Sequence, residues 1–326
     1  MKAPPTDLEI ESLRDCLGRH WGIVSPELTY LPVGFGDHHW HAHADGRQHF
    51  VTVCDFRLDD RATDPLAALE QTFQAVTALK QASGLRFLMP PLPSADGTTI
   101  APIATHFAMS VYDWIDVQPS FDGDSEVAVE IVAELHRASR NYPVDAAREN
   151  FRIPHRAALE MALLESDTPW TGGPLAEPSR MLLRAHQHEV RSALGLYDRL
   201  ARVTSASTES WCLTHGEPGG TNLVQDQRGA VFLVDWESAR MAPPERDLAA
   251  LYLSAGDLER YQALAGGWPV RQDIVRLYQL WYALAETAVY LLQFRRPHVD
   301  DANLRESWRN FQRFVPTQER WPELSK

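Results

Sequence analysis

A histidine, two carboxylates and an amide fall close together between residues 215 and 235. The run His215-Gly216-Glu217-Pro218-Gly219-Gly220-Thr221-Asn222 precedes a strand-like Val231-Phe232-Leu233-Val234, and Asp235-Trp236 comes next. A carboxylate such as Glu217 can orient an attacking hydroxyl and take its proton. Amide and carboxylate oxygens, as on Asn222 and Asp235, suit a hard cation such as magnesium held against phosphates. The set suits transfer of a phosphoryl group onto a hydroxyl. A polar turn between buried strands explains Gly216, Pro218, Gly219 and Gly220 equally well. It does not explain why all four functional residue types arrive in register.

The spacing of Glu217, Asn222 and Asp235 follows the kinase pattern H-R-D-x-x-x-x-N with its later magnesium-binding Asp. Together with Pro243-Pro244-Glu245-Arg246-Asp247-Leu248 and Val33-Gly34-Phe35-Gly36, these residues make the chain resemble the aminoglycoside phosphotransferase family. Within that family the HGEP variant most resembles the spectinomycin-phosphotransferase-like branch. The likeness is specific over residues 213–248 and elsewhere rests on the order and length of elements. It implies that Glu217 stands where the family has the aspartate of HGD and orients the acceptor. It also implies Asn222 and Asp235 as ligands of Mg2+, with ATP or GTP as donor. His215 and Asp247 read as architectural, the first holding the turn and the second accepting backbone N–H bonds.

The same resemblance places a flexible loop with Gly34 and Gly36 over the phosphates. It puts the nucleotide in a cleft near Asp113-Trp114-Ile115-Asp116, with Gly34, Gly36, Thr52, Trp114 and Ile115 as binding residues. One departure stands out: the family's strand lysine falls at Thr52 of Phe50-Val51-Thr52-Val53. Lys2, Lys80 and Lys326 are the only lysines, and none lies in the strands. A helix glutamate such as Glu70 therefore lacks its expected partner. Either Arg57, the nearby histidines or backbone N–H groups contact the phosphates, or nucleotide binding is weak or absent. His39, His41 and His43 share one strand face with roughly 7 Å per i to i+2 step, which is wide for a single zinc. An acceptor pocket is expected among the C-terminal helices, where Trp281, Glu286 and Tyr290 set an acid among aromatics. That grouping suits an ammonium group, and pairing of Glu286 with Arg276 or Arg295 stays equally open.

The elements that must position these residues are legible as pattern. Thr6-Asp7-Leu8-Glu9 reads as a capping box opening a helix. Strands are expected at Leu28–Val33, Trp40–Ala44 and His49–Cys54, with a tight turn at Asp45-Gly46. A helix from Asp64-Pro65 to about Ala82, stopped by Gly84, precedes strands at Thr98–Ile103 and His106–Tyr112. Beyond Ser125 the pattern turns helical, with a stripe of Val127, Ile131, Leu135 and His136. A long segment Ser179–Val203 follows, then Arg246–Leu253, Arg271–Phe294 and Asn303–Phe314. A hairpin of Leu223–Gln225 and Ala230–Val234 follows the catalytic loop. The expectation is an α+β, bilobal protein-kinase-like fold. Residues 1–114 would form a β-rich nucleotide-binding lobe around a five-stranded antiparallel sheet and one helix. Residues 115–326 would form the larger, mainly helical lobe.

The 326 residues suffice for two cores, and 44% hydrophobic with 23% charged residues is ordinary for a globular protein. The scattered Cys16, Cys54 and Cys212 read as free buried thiols. Met1-Lys2-Ala3-Pro4-Pro5 lacks the apolar run of a secretion signal, so a cytoplasmic protein is expected. A net charge of −13 argues against nucleic acid and suits a cationic acceptor, though acidity also simply favours solubility. No membrane partner is expected, and the protein would be a monomer or homodimer. The sequence thus points to a phosphotransferase acting on a hydroxyl of an aminoglycoside or aminocyclitol, with antibiotic resistance as its role. A kinase of another natural product or metabolite, or a catalytically impaired nucleotide-binding pseudokinase, stays open.

Overall fold

The computed structural model describes residues 1–34, 36–58, 63–118, 125–206 and 211–325. Phe35 of the glycine-containing loop and Lys326 lie outside the described residues. The chain packs as two compact units, Met1–Glu149 with Ser210–Val270, and Asn150–Glu209 with Arg271–Lys326.

The first unit opens with α1 (Ile10–Trp21), which ends on Gly22 at φ 68. The Thr6–Glu9 capping box does not form: Glu9 is the N-cap residue and makes no side-chain capping bond. Strands β1 (Glu27–Leu31), β2 (His38–Ala44) and β3 (Arg47–Asp55) follow. Asp45 and Gly46 have φ of 50 and 72, the mirror-image turn that matches strand twist. Helix α2 (Pro65–Ser83) starts with Pro65, is capped by Asp64 accepting from Ala67, and stops at Gly84. Only Ala101–Pro102 of the expected Thr98–Ile103 strand pairs, as β4, before β5 (Phe107–Asp113). The strands make one antiparallel sheet in the order β1-β2-β3-β5-β4. Its two faces are built differently. Trp40, Val51, Val53 and Val111 bury against Leu13, Cys16 and Leu17 of α1. Cys54 and Ala108 join a second core with Phe73 and Val76 of α2. Helix α3 (Ser125–Asn141) carries its expected stripe, with Ile131, Leu135 and His136 buried.

Helices α4 (Arg156–Leu164), α5 (Ala176–Ala185) and α6 (Gln187–Thr204) belong to the second unit. The long helix expected over Ser179–Val203 is two helices, broken at His186. The chain then returns to the first unit with β6 (Cys212–Thr214), β7 (Leu223–Gln225), β8 (Val231–Leu233) and β9 (Arg240–Ala242). Helices α7 (Glu245–Leu251) and α8 (Ala255–Leu264) complete that unit. Leu213, Leu223, Leu233 and Trp236 are buried in the same core as Cys54 and α2. Each such side chain contributes about 1.5–3 kcal/mol by burial, so the loop between β6 and β7 hangs from a firm frame. The second unit closes with α9 (Gln272–Arg295) and α10 (Ala302–Phe314). There Phe294 packs edge-on against Phe311 with ring centroids 5.6 Å apart. The fold is α+β, β-rich in its N-terminal part and helical beyond, as expected from sequence.

Candidate active site

The loop after β6 is shaped by one carboxylate. Asp247, fully buried at the start of α7, accepts from His215 N–H at 2.9 Å and from Gly216 N–H at 2.6 Å. His136 of α3 donates to the same group from Nε2 at 3.0 Å, while its Nδ1 lies 2.8 Å from the Tyr261 hydroxyl. Burial opposes a charge on either partner. His136 and Arg246 outweigh it, holding the Asp247 carboxyl below its ordinary pKa. Burial likewise pulls His136 down, but its acidic neighbours and the bond to Asp247 raise it well above the ordinary value. The result is a buried ion pair braced against backbone, as the expectation of an architectural Asp247 requires.

His215 is fixed just as firmly. Its Nε2 donates to the Val234 carbonyl at 2.8 Å, and its Nδ1 accepts the Glu217 N–H at 3.2 Å. Burial pulls its pKa down to about 4, so a neutral ring with one defined tautomer holds the turn. Trp236 seats that ring edge-on, centroids 4.6 Å apart. Gly216 has φ 107, and a Cβ there would run into the Arg246 guanidinium and the Ser238 hydroxyl. Only glycine fits, because Arg246 is itself buried and bonded to Thr214 Oγ1 and the Ser238 carbonyl.

This frame presents the three candidate residues. Glu217 is exposed, yet the protein around it raises its carboxyl pKa through lost hydration, with Arg246 pulling the other way. Asn222 donates from Nδ2 to the Glu217 carbonyl at 3.1 Å, which turns its amide oxygen the other way. The Asn222 carbonyl accepts the Val234 N–H at 2.9 Å, so Asn222 and Asp235 sit together at the open end of the β7–β8 hairpin. Asp235 is exposed with φ 67, a left-handed conformation that Asp tolerates and that is uncommon outside turns and sites. Two oxygen-bearing side chains on adjacent strand ends fit a hard cation such as Mg2+.

The nucleotide-side candidates lie in the same unit. Gly34 and Gly36 are exposed with φ 64 and 115. Thr52 is buried, and its hydroxyl lies 3.2 Å from His39 Nδ1. Trp114 lies tilted against His41 with ring centroids 4.3 Å apart, and Ile115 follows it half-buried. The segment after them runs beside β7, with Gln118 N–H donating to the Gln225 carbonyl at 2.8 Å. Glu70 is held by backbone and hydroxyl donors. Its Oε2 accepts from Thr99 and Ile100 N–H at 2.9 and 3.1 Å and from the Thr99 hydroxyl. Arg57 binds Asp55 and Asp7 and lies over Phe107. Asp37, Cys54 and Glu237 also converge, their ligand atoms within 4.8 Å of one another. The sequence reading missed that group, since its members lie far apart in the chain and meet only through tertiary packing of β3 against the turn after β8.

The proposed acceptor residues lie in the second unit on α9. Trp281 Nε1 donates to the Arg152 carbonyl at 2.9 Å. Tyr290 is buried and stacks on Phe294 at 6.4 Å. Burial and the nearby Glu286 push its hydroxyl pKa up, and the two side chains share a hydrogen bond. Arg295 bridges to Glu165 and lies over Trp170, and Arg276 lies over Trp321 at 3.7 Å.

Comparison with known proteins places this arrangement. The Phosphotransferase enzyme family matches residues 27–271. Protein StrN of Streptomyces griseus is 30% identical over 259 residues, 74% of this chain and 75% of that protein. A spectinomycin phosphotransferase solved with ADP and spectinomycin superposes with TM-score 0.71 at 14% identity, covering 94% of this chain and 95% of that one. A microcompartment-associated aminopropanol kinase gives TM-score 0.65 at 12% identity, covering 97% and 98%. These two likenesses show the fold, which is kinase-like. No helix among the described residues is long and apolar enough to cross a membrane. The chain belongs to the phosphotransferase enzyme family and is a small-molecule phosphotransferase.

Proposed function

We propose that this enzyme transfers the γ-phosphoryl group of ATP or GTP to a hydroxyl of a cationic aminoglycoside or aminocyclitol, spectinomycin being the leading candidate. The observation that carries this reading is the loop itself, in which Glu217, Asn222 and Asp235 project from a backbone locked by Asp247 and His215. The acceptor oxygen attacks the γ-phosphorus, the β–γ bridging bond breaks toward the departing nucleoside diphosphate, and the hydroxyl proton passes to Glu217. A raised carboxyl pKa suits that last step, since a more basic carboxylate holds the proton better. Mg2+ held by Asn222 and Asp235 supplies charge neutralisation on the phosphate oxygens. Thr52, Gly34, Gly36, Trp114 and Ile115 line the nucleotide side, and Trp281, Glu286 and Tyr290 take the acceptor's ammonium group.

In functional terms residues 1–114 serve the nucleotide, and residues 115–326 supply the catalytic loop and acceptor pocket. A cytoplasmic monomer or homodimer, with neither nucleic acid nor membrane as partner and a role in antibiotic resistance, completes the reading. A nucleotide-consumption screen over aminoglycosides, other natural products and amino alcohols, with product masses confirmed, tests it. A mass gain of one phosphate on an aminocyclitol is the expected result. Phosphorylation of an unrelated alcohol alone overturns the substrate class, and binding without turnover on any acceptor indicates a pseudokinase.

A further inference from the structure

The family's strand lysine is absent at Thr52, and the structure offers a specific replacement. His39 and Thr52 are register partners on β2 and β3. The Thr52 hydroxyl is 3.2 Å from His39 Nδ1, and Phe50 flanks the ring with centroids 5.0 Å apart. The ring's other nitrogen points at the glycine-containing loop: a Cβ built on Gly34 would lie 3.3 Å from His39 Nε2. Thr52, two residues from Cys54, lies on the same strand face, about 7 Å along. Cys54 Sγ in turn lies 3.3 Å from Glu237, two residues past Asp235. A polyphosphate running from under the loop at Gly34 toward Asp235 therefore passes His39.

We propose that His39, oriented by Thr52, is the phosphate-binding residue that takes the lysine's place, donating a hydrogen bond from Nε2–H to the nucleoside triphosphate. The tautomer follows from the pair. When the Thr52 hydroxyl donates to Nδ1, the ring proton resides on Nε2, where an anion accepts it. Burial, the N-terminal amine and His38 keep the ring neutral, with its pKa down to about 4, so the contact is a directed donor rather than a point charge. Arg57, just past the end of β3, is engaged with Asp55 and Asp7.

This inference rests on the nucleoside-triphosphate reading above, and the test separates the two. Calorimetry of the full chain with MgATP and with adenosine, which lacks phosphates, is compared for wild type, His39→Ala and His39→Ala/Thr52→Lys. His39→Ala is expected to weaken MgATP about ten-fold, the loss of one hydrogen bond to a charged group, and to leave adenosine unchanged. Thr52→Lys should restore MgATP binding in the His39→Ala background. Unchanged MgATP affinity in His39→Ala, an equal loss for adenosine, or a double variant no better than the single one overturns the assignment of His39. Wild type that binds adenosine but gains nothing from the phosphates of MgATP overturns the donor reading and this inference with it.

Discussion

Asp247 and Glu286 are both acids on largely apolar helices, one in each compact unit, and they are held in opposite ways. Asp247 is completely buried and takes two backbone N–H bonds besides the His136 contact. Glu286 is half-buried and shares a hydrogen bond with Tyr290, one helical turn along. Backbone partners fix an acid in place, because moving it would orphan buried donors. A side-chain partner can rotate away when a ligand offers something better. The region proposed to position a reacting oxygen, a task that tolerates only a fraction of an ångström, is locked by backbone. The region assigned to recognition is built from side chains.

The largest effect is expected at the edge of the locked region. Asp235→Asn keeps shape but loses the anionic oxygen that suits a hard cation. Turnover at saturating magnesium should fall on the order of a thousand-fold, with thermal stability unchanged. Near wild-type turnover would make Asp235 a strand-end residue in a strained conformation and nothing more.

Next comes the lock itself. Asp247→Asn leaves a buried, charged His136 without its counter-ion and weakens the bonds to the loop, which should cost roughly 3 kcal/mol of stability. The sign with pH follows from the two shifts. The Asp247 contribution is complete above its unfolded pKa and is lost as pH falls through its lower folded value. The His136 contribution is complete below its unfolded pKa and is lost as pH rises through its raised folded value. Denaturant melts from acid to alkaline pH should therefore show a flatter stability profile in the variant. A parallel profile would mean that the pair is neutral in the folded protein.

That lock explains how much was legible in advance. His215, Gly216, Glu217, Asn222 and Asp235 lie in one short stretch, where local chain geometry dictates residue type, so pattern alone nominates them as a site. The β7–β8 hairpin and α2 were equally readable, because turn residues and caps sit at their ends. What escaped depends on distant partners. Strands β6 and β9 are three residues each and pair with each other across the whole candidate loop and the β7–β8 hairpin. Helix α4 begins at His155 with no side-chain cap. Helix α8 was missed despite a genuine capping box at Ser254 and Asp257, whereas the one read at Thr6–Glu9 does not form. The His39–Thr52 pair was unreadable, since its significance comes from cross-strand register rather than from sequence spacing.

A somewhat smaller loss is expected at Glu217, which the locked backbone presents but does not itself restrain. Glu217→Gln should lower kcat about 10²-fold with nucleotide KM nearly unchanged, as for an interaction made in the transition state. In wild type the acidic limb of kcat should lie above the ordinary glutamate pKa, because lost hydration raises it and activity falls as the carboxylate takes a proton. Glu217→Asp should be slower than wild type, since a loop tied at His215 and Asn222 cannot advance to recover the missing methylene. An Asp variant as fast as Glu would show the loop to be adjustable, and the contrast drawn above would fail at its centre.

The smallest effect should be at Glu286, where the comparison is most exposed. If this carboxylate takes the acceptor's ammonium group, Glu286→Gln removes a charge-assisted bond and keeps a neutral one. Acceptor KM should then rise about ten-fold or less. Since the same contact serves ground state and transition state, kcat should hardly move. The charge also makes the contact sensitive to screening, so wild-type KM should rise with ionic strength and the variant's should respond less. Tyr290→Phe provides the control. It removes the hydroxyl that shares a hydrogen bond with Glu286 while the ring still stacks on Phe294, so KM should change less than in the Gln variant. A Glu286→Gln enzyme with unchanged KM and a lowered melting temperature would mean that this acid, like Asp247, is a structural one. Both acids would then be architectural, and acceptor recognition would have to be sought elsewhere in the chain.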